Sequence, residues 1–248
     1  MNKRVLVVTA HPDDLENGIG GTLTRLNFRG YSIYSVVATL PVDPAQREIR
    51  RMECKNSHAL LGVQPSFWDE PDGALEVDAR RRALMRDVYD IVKPDLVLTL
   101  WPADVHPDHR AIADIAMGPA LQRGVNIELL CFEVCSSGRG TAEFRPQSLG
   151  FFPTHYVDTT NVQAEKYALM KCHESQDPDG MWAGMRNIHG NRAREVGNLT
   201  SYTEGFVRVT RCGEMSQELS EIFQKSPSRL RPRGIGVDFK PETIGISL

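Results

Sequence analysis

The chain lacks any paired cysteine pattern: Cys54, Cys131, Cys135, Cys172 and Cys212 are an odd number and include no Cys-x-x-Cys. That argues against a disulfide framework and a structural zinc finger, and reads as plain thiols in a core. Long apolar runs are also missing. None approaches the roughly 18 residues of a membrane span, and Lys3-Arg4 lead straight into a strand without a signal-peptide cleavage pattern, so the expected location is cytoplasmic. An excess of one charge is absent as well. A net charge of −3 offers no general attraction to nucleic acid or an anionic membrane, which leaves a small neutral molecule as the expected partner. Gly18 and Gly20 begin a dinucleotide fingerprint, but its third glycine would fall on Leu23, so the fingerprint fails. These glycines are expected to let a helix pack closely on a sheet.

What is present alternates in period. Arg4 to Thr9 reads as a strand, Gly18 to Arg29 as a helix, Tyr31 to Ala38 as a strand, and Pro44 to Leu61 as a helix with a basic outer face. A short strand at Ser66 to Trp68, a helix over Asp78 to Val92, a strand at Asp95 to Leu100, a helix from Pro107 and a strand around Ile127 to Cys135 continue the series. Repeated βα units predict an α/β, Rossmann-like, mostly parallel sheet with helices on both faces. Beyond these come a strand at His155 to Val157, a helix at Asn161 to Lys171, and a Gly/Asn-rich stretch at 180–197 read as part of a cap. The expectation is one domain over residues 1–225 and an irregular tail over 226–248, where Arg229, Arg231 and Arg233 lie among Pro and Gly. The tail is open to two readings, solvated or packed on a neighbouring subunit. Ser136 to Gly140 reads as a mobile loop that covers substrate.

Two clusters carry the chemistry. Ala10-His11-Pro12-Asp13-Asp14 follows the first strand, and His106-Pro107-Asp108-His109 follows the strand ending at Leu100. Open parallel sheets bind ligands beyond the carboxyl ends of their strands, so the topology brings both clusters to one rim. Imidazole and carboxylate both bind zinc, at about 2.0–2.2 Å, and three protein ligands leave a position for water. His11 and Asp14, with His109 as third, are the candidate metal ligands, and Asp13 is a spare base beside them. A plainer reading has His11 at a strand end and Asp13 and Asp14 capping the following helix. The spacing in HPDH puts His106 and His109 on one face of a helical turn.

The pair of motifs, AHPDDLENGIGGTL at 10–23 and HPDH at 106–109, resembles the PIG-L/LmbE-like family of zinc-dependent N-deacetylases. The likeness extends through Arg50-Arg51-Met52-Glu53, Asp72-Gly73, His173-Glu174-Ser175-Gln176 and Tyr202-Thr203-Glu204-Gly205-Phe206. It implies zinc on His11, Asp14 and His109, with iron(II) or cobalt suiting the same ligands. It further implies Asp13 as general base, His106 on the carbonyl oxygen that becomes an oxyanion, and Asp108 orienting His106. Arg50 and Asp72 would contact the sugar, although Arg50 sits among Arg47 and Arg51 on what also reads as a solvated face, and Asp72-Gly73 is a good turn dipeptide. His173 to Gln176 would support the site, and Glu16 has no assigned role. The implied activity is removal of the N-acetyl group from an N-acetylglucosamine-type amino sugar or small glycoconjugate, in a homo-oligomer. The alternatives are an amidase of thiol conjugates or an esterase with the same metal, or a carbohydrate-binding protein without catalysis.

Overall fold

The computed structural model describes residues 3–122, 126–137, 144–146, 150–198, 201–209 and 213–225. The tail at 226–248 and positions 138–140 of the expected covering loop lie outside them. The chain runs β1 (Arg4–Thr9), α1 (Asp14–Phe28), β2 (Ser32–Leu40), α2 (Pro44–Leu60), β3 (Pro65–Pro71), α3 (Ala79–Val92), β4 (Leu96–Leu100) and α4 (Pro107–Ala120). It continues through β5 (Glu128–Phe132), β6 (Cys135–Ser137), β7 (Phe144–Pro146), β8 (His155–Asp158), α5 (Gln163–Lys171), α6 (Pro178–Glu195), β9 (Thr203–Arg208), α7 (Gln217–Ser220) and β10 (Gln224–Lys225). No helix among the described residues is long and apolar enough to cross a membrane.

Eight strands form one sheet in the order β10-β8-β9-β5-β4-β1-β2-β3. The five from β5 to β3 are parallel, and β9, β8 and β10 add antiparallel neighbours beyond β5. From β1 the chain winds outward to β2 and β3, then returns to the other side of β1 for β4 and β5. The strand order therefore reverses between β1 and β4, the place where open α/β sheets leave a crevice at their carboxyl ends. Both strands are apolar and buried along almost their whole length, as central parallel strands covered on two faces must be.

Three sequence expectations change. Helix α1 starts at Asp14, not Gly18, because the Asp14 carboxylate folds back to accept the backbone N–H groups of Ala10 (3.1 Å) and His11 (2.7 Å), closing the turn early. Gly18 then lies inside the helix, where a Cβ would stand 2.5 Å from the Phe132 ring. The close packing expected of these glycines is present. The strand read at 127–135 ends at Phe132, and Cys135–Ser137 pairs with β7 in a separate hairpin. The Gly/Asn-rich stretch is mostly helix α6, which Met181, Met185 and Ile188 anchor at helical spacing on the core while Asp177 caps the Gly180 N–H. Its glycines and asparagines disguised a buried stripe that is narrow but periodic.

Helix α1 is also kinked, with Ile19 at φ −136°, ψ 17°. The kink frees backbone donors at Gly21 and Thr22, and the fully buried Glu204 accepts both, at 3.0 and 2.7 Å. Lys166 of α5, equally buried, closes the arrangement with 2.7 Å to Glu204 and 2.8 Å to the Asn17 carbonyl. Truncating one member strands the other charge in the core. Lys166→Met is expected to cost about 3–5 kcal/mol, read as a lower urea midpoint; an unchanged midpoint would mean that the pair does not hold the kink.

Candidate metal centre

The turn after β1 and the start of α4 meet at the strand-order reversal. His106 is the N-cap of α4, Pro107 occupies its first turn, and His109 follows within that turn. The rings of His11, His106 and His109 lie with centroids 4.6–4.9 Å apart. His11 Nδ1 is 3.0 Å from His109 Nε2, and Asp14 Oδ1 is 3.3 Å from His109 Nε2. Asp14 Oδ2 is 3.5 Å from His11 Nδ1. The plainer reading, with both aspartates as helix caps, fails: Asp13 makes no capping bond, and the Asp14 carboxylate turns between the two histidines.

The outer nitrogens are held from behind. His11 Nε2 meets Asp72 Oδ1 at 3.1 Å and Asp108 Oδ2 at 3.4 Å, while His109 Nδ1 lies 3.2 Å from Asp104 Oδ2. The Asp72 hydrogen bond fixes the His11 ring proton outward, and the Asp104 carboxylate opposite His109 Nδ1 favours the same tautomer there, so each imidazole directs a lone pair inward. Two lone pairs and a carboxylate oxygen thus face one another at about 3 Å, an arrangement that calls for a cation. The proton affinities agree. Burial opposes a charge on His109, but Asp14 and Asp104 outweigh it and push its imidazole up to about 9. Burial also opposes ionisation of Asp14, yet His109 and His11 hold its carboxyl well below the usual carboxylate range. The donor set of His11, Asp14 and His109 fits a divalent metal ion.

Asp13 points elsewhere. Its Oδ1 takes an ion pair of 2.9 Å from Arg50 Nη2. Arg50 is not on a solvated face: it is 5% exposed, on the inner side of α2, and its Nη1 is buried without a hydrogen-bond partner. Asp108 does not orient His106 through its carboxylate. That carboxylate accepts the N–H groups of Gly73 (2.7 Å) and Leu75 (3.0 Å) and reaches toward His11, so it ties the Asp72 turn to the centre. What orients His106 is the N–H of Asp108, donated to its Nδ1 at 3.3 Å. Burial, then His11 and His109, lower the proton affinity of His106, so its neutral ring carries the proton on Nε2 and offers a donor. Asp72 is half-exposed on the cavity rim, where its Oδ1 holds His11.

Asp104 is the residue that motif reading missed. It is 2% exposed; Oδ1 accepts the His106 N–H at 2.8 Å while Oδ2 faces His109. The signal was an acidic residue in the same loop, five positions before His109. Asp104→Asn should weaken divalent metal binding about 10–100-fold, measured by competition with a chelating dye; equal affinity would make the residue a loop brace only.

Glu16 also gains partners: it accepts from the Ser57 hydroxyl and lies 3.3 Å from His58 Nδ1 and 3.4 Å from His173 Nε2, all buried. Glu53 accepts the Ser175 N–H and hydroxyl, each at 2.7 Å. These two carboxylates fasten α1, α2 and the 173–176 turn together, which brings Gln176 to the wall of an open cavity of ≈ 430 Å³. Asn17, Gln46, Arg50 and Met181 line the same cavity, with His11, Asp13, Asp14 and His109 along its side.

A family model described as PIG-L, GlcNAc-PI de-N-acetylase, matches residues 6–119. A diacetylchitobiose deacetylase from Thermococcus kodakarensis is 29% identical over 197 residues, covering 73% of this chain and 72% of the relative. The uncharacterized deacetylase YaiS of Escherichia coli is 31% identical over 126 residues, 47% of this chain and 68% of the relative. The solved structure of N,N'-diacetylchitobiose deacetylase from Pyrococcus horikoshii aligns with a TM-score of 0.62 at 25% identity over 84% of each chain. A 4-oxalmesaconate hydratase of Pseudomonas putida is 24% identical over 246 residues, 84% of this chain and 91% of the relative. The family model spans β1 to α4 and so takes in both histidine clusters; this chain belongs to the PIG-L/LmbE-like family of N-deacetylases.

Proposed function

We propose that the protein is a zinc-dependent hydrolase that removes the acetyl group from an N-acetylglucosamine-type amino sugar or a small glycoconjugate of it, releasing acetate and the free amine. The observation that carries this reading is the pair of inward imidazole lone pairs and the Asp14 carboxylate, with a fourth group, Asp13, beside them and not among them. Pure binding has no use for Asp13. The relatives named as deacetylases support the bond, and two of them, named for diacetylchitobiose, support the sugar.

His11, Asp14 and His109 would hold the ion, which when bound supplies Lewis acidity and makes a water easier to deprotonate at neutral pH. Asp13 takes the proton of the attacking water, and Arg50 holds its carboxylate in place through the 2.9 Å ion pair. His106 donates from Nε2 to the carbonyl oxygen as negative charge develops there. The proton that Asp13 has taken from water then passes to the departing amine as the carbon–nitrogen bond breaks, which returns Asp13 to its carboxylate. Arg50 Nη1, buried without a partner, is available to a sugar hydroxyl, and Asn17, Gln46 and Gln176 offer neutral hydrogen bonds to others.

The test is acetate release from a panel of N-acetylglucosamine derivatives, with thioether-linked amides, simple esters and an oxo-diacid hydration substrate as comparators. Release from an acetamido sugar supports the proposal. Turnover confined to esters, thiol conjugates or the oxo-diacid overturns it.

A further inference from the structure

Helix α6 has a second face. Its inner side presents Met181 to the cavity, whereas Arg186, Asn187 and Arg194 are exposed on its outer side. There they line a separate groove of ≈ 450 Å³, whose other wall is Ser201 and Tyr202 ahead of β9. No carboxylate is among the described lining residues.

The groove is organised before any ligand arrives. Arg186 donates through Nε to the Tyr202 hydroxyl at 3.1 Å and also through Nη2, and its guanidinium lies 4.9 Å from the Tyr202 ring centroid and 5.8 Å from that of Trp182. These contacts fix the plane of the guanidinium, so less side-chain freedom is lost when it binds. Arg194 folds back along the helix. Its Nη1 donates to Asn191 Oδ1 at 2.6 Å, which leaves Nε and Nη2 as the donors to offer a ligand. Eight residues separate the two arginines, about 12 Å along a helix, a span that two arginine side chains can close upon one group.

A third observation points to a ligand. Ser201 is 8% exposed, and its hydroxyl is buried without a hydrogen-bond partner while it lines this groove. An orphan hydroxyl in a folded protein costs stability unless something completes it. A donor hydroxyl, an amide and two guanidinia, with no opposing carboxylate, are complementary to an oxyanion. Arginine matches phosphate in particular, through paired N–H donors.

We propose that this groove is a binding site for a phosphoryl group, either free phosphate or a small phosphate ester, apart from the metal centre. Binding to the folded chain raises its unfolding temperature, so the midpoint is measured against inorganic phosphate at fixed ionic strength, with chloride as the matched control. A second arm compares glucose 6-phosphate with glucose. Ser201→Ala and Arg194→Ala should each weaken the effect at least about fivefold, and Arg186→Ala should remove most of it. Arg86→Ala, an exposed arginine on α3, should leave it intact. Response to glucose 6-phosphate alone, lost in the same variants, supports the site and makes its ligand an ester. No phosphate-specific rise in either arm overturns the proposal, and so does a rise that survives all three groove substitutions, which would assign the anion to the metal centre.

Discussion

Asp13→Asn should lower acetate release by about 10²–10⁴-fold while zinc remains bound in the amount held by the parent. The two halves of this expectation rest on different contacts. The cation-demanding cluster is formed by His11, Asp14 and His109, and each of its members is braced without Asp13: His11 by Asp72 and Asp108, His109 by Asp104, Asp14 by the backbone of Ala10 and His11. Asparagine at position 13 keeps the shape and can still accept from Arg50, so the ion should stay. What it loses is the ability to take a proton. Metal content by mass spectrometry beside the rate separates the outcomes. Loss of both together would make Asp13 a ligand, and retention of both would remove it from the chemistry.

His106→Gln is expected to cost about 10²–10³-fold in kcat with a smaller change in KM. The geometry sets the reason. Asp108 donates its backbone N–H to Nδ1, which leaves Nε2 as the protonated nitrogen, and the ring stays neutral because burial and the neighbouring imidazoles resist a further charge. A donor in that position strengthens as the carbonyl oxygen gains charge, so its removal is felt in the transition state more than in the bound substrate. Glutamine keeps a donor of different reach. A rise in KM with kcat unchanged would instead place His106 in ground-state binding alone.

Much of this was legible in the sequence, and for identifiable reasons. Strands β1 and β4 are short unbroken apolar runs, and a histidine cluster follows the first directly and the second after a five-residue loop, so periodicity and topology pointed to the same rim. The departures came where a tertiary partner outvoted local pattern. No local signal says that Glu204, some 180 residues away, caps the kink of α1, or that the Asp14 carboxylate starts that helix four residues early. Helix α6 was hidden by its glycines, since a stripe of Met181, Met185 and Ile188 was enough to fold it against the core. In the site, ligand types were readable from residue chemistry, but the bracing set was not. Asp108 lies beside His109 in sequence and holds His11 in space, while Asp104, outside the four-residue motif, holds His109. Arg50 read equally as a sugar contact and as one of several solvated arginines, because α2 carries Arg47 and Arg51 near it; only the packing of α2 reveals which one turns inward to Asp13.

The most direct test of the central claim is a zinc titration of chelator-stripped protein in the presence of a diacetylated chitobiose substrate, with acetate followed continuously. A single centre made by His11, Asp14 and His109 predicts no acetate from the stripped protein and a rate that climbs with added zinc to a break at one equivalent per chain. Full activity in the stripped protein would contradict the account, as would one bound zinc per chain with no acetate released from any acetamido sugar.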